Sequence, residues 1–136
     1  MAKSLDTVGS ITMASSDTLA ADTTWMQSTG LIDISGKNGM NLVFQITFGS
    51  GATGEVTLYL VQTNDTGTAD PDKDITSASE AYPLATVTAV ASTIVTVTPD
   101  VPMEKILQGN LIGVGAKNTD DTNSVDISCA YQTLTL

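Results

Sequence analysis

Four aspartates in one stretch are the chain's best material for a metal site. Asp65, Asp70, Asp72 and Asp74 all fall in NDTGTADPDKDIT, residues 64–76. Carboxylates at alternate positions, as at Asp70, Asp72 and Asp74, can converge on a hard cation such as Ca²⁺, which takes about six to eight oxygen ligands. The calcium-loop pattern is not met, because Ile75 stands where its glycine belongs and no glutamate closes the loop at the twelfth position. The same residues read more simply as a solvated acidic loop. Asp120-Asp121 is a shorter version of the same choice. No metal or cofactor is expected.

The inventory for catalysis is poor. The chain has no histidine, which removes the usual general base and every Ser-His triad. Glu55, Glu80 and Glu104 are far apart in sequence and fall in different elements, which gives no pair of carboxylates flanking one bond. The run Gly49-Ser-Gly-Ala-Thr-Gly lacks the lysine and the following helix that a phosphate-binding loop needs. Cys129 is the only cysteine. It continues the apolar alternation Val125, Ile127, Cys129, Tyr131 and reads as a small core residue. Trp25, Tyr59, Tyr82 and Tyr131 could stack on a sugar or pack at an interface. Asn64-Asp65-Thr66 fits a glycosylation acceptor, but nothing at the N-terminus has the apolar stretch of a secretory signal. The chain is not expected to be an enzyme.

The elements that would position such residues are strands. In residues 40–48 Leu42, Phe44, Ile46 and Phe48 alternate with polar or smaller residues, and in residues 55–62 Val56, Leu58 and Leu60 do the same. A period of two puts each set on one face of an extended strand. The glycine-rich link 49–54 predicts a β-hairpin over residues 40–62. Further strands are expected at 8–13, within 23–34, and at 83–90, 92–98, 111–117 and 125–134. A tight turn is expected at 36–39 and a helical turn within 100–108, where Pro102 suits the first turn. Between Tyr131 and Leu134 the apolar parity slips by one, which predicts a bulge or an exchange of faces. About eight antiparallel strands in two sheets make an all-β sandwich of jelly-roll type. Residues 1–136 are read as one domain, with residues 1–20 as a flexible N-terminal arm.

Composition agrees with that class. About one residue in six is threonine, only 15% of residues are charged, and arginine is absent. Threonine and valine suit a pleated surface, and the usual charged residues of surface helices are scarce. Net charge is −10. Five scattered lysines form no patch for phosphate backbones or anionic lipids, so neither nucleic acid nor membrane is an expected partner.

The order of these features resembles the jelly-roll capsid cement (decoration) proteins of tailed bacteriophages. The matching stretches are Ser28-Thr29-Gly30-Leu31-Ile32-Asp33, then Gly39-Met40-Asn41-Leu42-Val43-Phe44, the strand from Val56 to Val61, and Leu84-Ala85. Ile106-Leu107-Gln108-Gly109-Asn110-Leu111-Ile112-Gly113-Val114 completes the set. The resemblance runs through most of residues 23–136 and consists of strand-pattern residues. The acidic loop from Thr63 to Tyr82 departs from it. It implies a homotrimer on the outer capsid surface of a virion, made in the host cytoplasm. Its partner would be the major capsid protein, whose neighbouring subunits it bridges. Removal of residues 1–16 is then expected to leave the fold intact and abolish attachment. A carbohydrate- or receptor-binding module of a phage fibre, with Trp25 and the Asp70–Asp74 loop as its site, remains the alternative.

Overall fold

The alternation of residues 40–48 produces the strand that holds the first sheet together. The structure is a computed structural model that describes residues 4–11, 18–19, 26–27, 32–63, 81–108 and 111–135. β1 (Ser4–Leu5), β2 (Gly9–Ile11), β3 (Thr18–Leu19), β4 (Met26–Gln27) and β5 (Ile32–Asp33) are short segments. They precede the long β6 (Gly39–Phe48) and β7 (Glu55–Thr63). β8 (Tyr82–Thr88), β9 (Ile94–Val97), helix α1 (Met103–Gln108), β10 (Leu111–Asn118) and β11 (Val125–Thr135) follow. Along β6 burial alternates without a break, with Met40, Leu42, Phe44, Ile46 and Phe48 inward.

β6 and β7 do not pair, which corrects the expected hairpin. β6 lies between β11 and β9 in the first sheet, whereas β7 lies between β10 and β8 in the second. Residues 49–54 therefore carry the chain from one sheet to the other. A six-residue link can span the roughly 10 Å between packed sheets. Once it does, the two apolar faces meet across the core instead of lying side by side. Leu42, Phe44 and Ile46 share one core cluster with Val56, Leu58 and Leu60.

All pairings are antiparallel. β1, β2 and β3 lie in line along one edge of β11, and β4 and β5 lie in line along β10. Counting each line as one strand gives two four-stranded sheets. In chain order the first runs first, eighth, third, sixth, and the second runs second, seventh, fourth, fifth. That order is a jelly roll. The fold class read from the sequence is the one observed.

Two local expectations change. β11 pairs with β6 in unbroken register from Val125 to Leu134, so the parity slip is no bulge on that side. Thr133 simply continues the inward positions and is buried, with its hydroxyl donating to Asp6 at 2.6 Å. The irregularity lies on β11's other edge, where the register steps by one residue between β1 and β2. Residues 4–11 and 18–19 are also not a free arm. They pair with β11, and Ile11 is part of the core. α1 follows Pro102 as expected, with the Lys105 amide donating to the Pro102 carbonyl at 3.0 Å. It is far too short to cross a membrane, and no helix among the described residues is long and apolar enough to do so.

Candidate functional site

Asp120 is where the structure concentrates polar chemistry. It sits in the loop between β10 and β11 and is only 1% exposed. Its carboxylate accepts the amides of Thr53 at 2.8 Å, Thr122 at 2.9 Å and Asn123 at 2.9 Å. The Asn123 side-chain amide adds contacts at 3.1 and 3.3 Å and donates to the Gly51 carbonyl at 2.8 Å. Thr119 and Glu55 are tied together beside it through both backbone and hydroxyl. Asp120 thus locks the 119–124 loop onto the crossing loop 49–54 and closes one end of the sandwich. Backbone donors from Thr53, Thr122 and Asn123 hold its carboxyl well below the usual carboxylate range. With this many donors the carboxylate is a structural tie. From sequence, Asp120 reads as a cation ligand or as part of a solvated acidic loop, and neither reading contains this buried tie.

A lowered carboxylate pKa favours the fold above the unfolded value of about 3.9, and that contribution is lost as pH falls through the lower folded value. We expect Asp120→Asn to lower the urea midpoint clearly at pH 6. The gap to the parent should narrow as pH falls below about 4, where the unfolded chain's carboxyl takes up a proton while the folded one is still held ionised by its donors. Equal midpoints at pH 6 would contradict this role. Gly54 supports the same joint. Its φ of +71° favours glycine, and an added Cβ would meet the Thr119 hydroxyl at 2.9 Å and the Asp120 amide at 3.0 Å. Gly54→Ala is expected to cost about 2–4 kcal/mol in equilibrium unfolding, from left-handed strain plus overpacking.

At another place, Asp6 fastens the N-terminal strands. The Lys37 ammonium donates to it at 2.9 Å, and the hydroxyls of Thr133 and Thr135 also donate to it. The Asp6 amide reaches the Thr133 carbonyl, and the Gln132 side chain reaches the Asp6 carbonyl. The Thr133 hydroxyl first, then Lys37, lowers the Asp6 pKa. Lys37 comes from the turn around Gly36, where its amide donates to the Ile34 carbonyl.

The third feature is a groove of about 590 Å³, lined by Val8, residues 40–43, residues 98–101 and residues 130–132. Its origin is the end of β9. The Phe48 amide donates to the Thr93 carbonyl, so Phe48, Ile46 and Phe44 turn their backbone groups toward β9 and pair with Thr93, Val95 and Val97. The next such partner of Leu42 in this register is Pro99, which has no N–H to donate. Pairing stops there, and residues 98–101 leave β6. Asn41, Val43, Thr98 and Asp100 are exposed at the opening.

The sequence-derived candidates scatter. Asp65, Asp70, Asp72, Asp74, Asn64, Glu80, Trp25 and residues 28–31 lie outside the described residues. Glu55 is on β7 and Glu104 on α1. Tyr82 lies under Lys105, 5.1 Å from its ammonium, while the Tyr131 ring lies against Gly9 on β2. Cys129 is buried in the core. Among the described residues no three of His, Cys, Asp or Glu gather as a metal site.

No protein-family model matches the chain, and no curated protein matches it by sequence. Solved structures do. A chain of the infectious bursal disease virus Gx strain structure aligns over 98% of this protein at TM-score 0.54 and 13% identity. This protein spans 32% of that chain. The CBM22-2 xylan-binding domain of Paenibacillus barcinonensis Xyn10C aligns over 96% of this protein and 86% of its own length, at TM-score 0.54 and 11% identity. A Bacillus endospore appendage structure covers the whole chain and 92% of its own, at TM-score 0.48 and 15% identity. What the xylan-binding domain shares with this protein is the β-sandwich fold.

Proposed function

We propose that this protein is a structural cement component of a tailed-phage head. It binds the outer shell and bridges neighbouring major capsid subunits, as a trimer on the assembled particle and without catalysis. The observation that carries this reading is the jelly-roll strand order, which the sequence resemblance implies on independent grounds. The described polar clusters support it. Asp120 and Asp6 both serve to tie loops and strands together. The outward positions of β6 are Asn41, Val43, Gln45 and Thr47, a surface suited to many weak contacts that multivalent attachment multiplies. The likeness to a chain of a virus structure adds support at the level of fold.

The test is co-sedimentation of the purified protein with phage heads stripped of outer-surface proteins. Saturable binding in proportion to the number of capsid subunits is expected, and protein left in the supernatant at every concentration would overturn the reading. A carbohydrate-binding role is the second reading. The groove favours it, with Tyr131 beside Asn41, Gln132 and Asp100, as does the fold shared with a xylan-binding domain. Retardation on a xylan or mixed-glycan matrix would support that role.

A further inference from the structure

One side of the sandwich leaves its core partly open to solvent. β8 and β9 end their respective sheets, and residues 89–93 link them, so together they form that side. Val87 lies opposite Val56, and Val95 and Val97 lie opposite Ile46 and Phe44. Val56, Ile46 and Phe44 are fully buried, yet the three valines that face the core beside them are only partly buried. The far side differs. There Ile11 of β2 and Ile32 of β5 close the core and are buried. Exposure is greater still at the link end of the open side, where Ile94 is 62% and Val90 51% exposed. Residues 83–99 contain no charged residue. Edge strands are ordinarily guarded by charge, above all lysine, or by proline and bulges. Here Pro83 and an irregular register guard only the start of β8.

We propose that copies of this chain join along this side, β9 of one against β8 of the next. Charge selects the occupant. The chain carries −10, so two copies repel unless they meet where neither is charged, and this side meets that condition. A basic segment of another protein would find no carboxylate in residues 83–99 to hold it. The two edges also match each other. At equal distance from the link, Val87 of one copy falls beside Val95 of the next and Thr86 beside Thr96. The valines then face the cores and the exposed threonines face outward. Threonine pairs stabilise adjacent strands, and Thr57 and Thr86 already make one between β7 and β8, with hydroxyls 3.2 Å apart. Each copy uses each edge once, so the contact is head-to-tail and closes as a ring. That the ring holds three copies rests on the proposed function, while the open side does not.

The experiment is sedimentation velocity of the full chain without phage heads, from about 1 μM to about 1 mM, beside the double variant Thr86→Asp/Thr96→Asp. Both threonines are exposed and lie in different sheets, so the variant's urea midpoint should match the parent's and report an intact fold. Across the join it sets two carboxylates beside each other. The parent should pass from one copy to three as concentration rises, and the variant should need at least roughly tenfold more protein to do so. A parent that stays monomeric throughout overturns the proposal, as does a folded variant that associates like the parent. A ring of two keeps the side and overturns the count of three. Stripped heads are the separate arm. Association in solution without attachment to heads overturns the cement reading alone, and a monomeric parent whose attachment is lost in the variant gives the side to a shell subunit instead.

Discussion

A chain lacking residues 1–16 is expected to lose most of its stability, not merely an attachment arm. The truncation removes β1 and β2, so the edge of β11 from Cys129 to Thr135 loses its partners. It also removes Ile11 from the core, a loss worth about 2–5 kcal/mol for an aliphatic side chain cut back to alanine. Asp6 goes as well, leaving Lys37 without its partner and Thr133 buried without the acceptor of its hydroxyl. Against a total stability of about 5–15 kcal/mol, the truncated chain should unfold at markedly lower urea or fail to fold. A truncated chain with the parent's midpoint would show that β1 and β2 contribute nothing. Attachment assays on it therefore report on folding first, and the arm is better probed by exposed substitutions such as Leu5→Ser.

Phe44→Ala should be the most damaging single change, at about 3–5 kcal/mol. Phe44 is fully buried at the middle of β6, with Cys129 opposite it on β11 and Val97 opposite it on β9. Its ring fills space against residues from both sheets, and neighbours held by long strands can relax only partly into the void. The measurement is the shift in chemical-unfolding free energy at an unchanged slope. A loss below about 1 kcal/mol, the range of volume-conserving core swaps, would mean the core is looser than its burial indicates.

The strands themselves were legible because a half-buried strand must alternate, and Leu42, Phe44, Ile46, Val56, Leu58 and Leu60 do. Their pairing was not. The same period of two serves a hairpin and two strands facing each other across a sandwich. The glycines of 49–54 allow either a turn or a crossing. Long-range register decides between them, through β11 for β6 and β10 for β7. Val61 gives a smaller lesson. It alternates outward from Leu60 yet is fully buried, because both faces of a strand can be covered. Asp120 was seen as one of a charged pair, but its partners include a turn amide 67 residues away in sequence, which no local pattern encodes. The groove was hidden for the same reason. Pro99 matters only because the register sets it opposite Leu42, and sequence spacing alone does not state that register.

The central claim is that the sandwich reinforces a shell. It is tested most directly by heating DNA-filled phage heads with and without added protein and following DNA release. The account predicts that saturating protein raises the release temperature. Release at an unchanged temperature with the protein bound would contradict reinforcement, and retardation on xylan without binding to heads would turn the jelly roll into a carbohydrate reader.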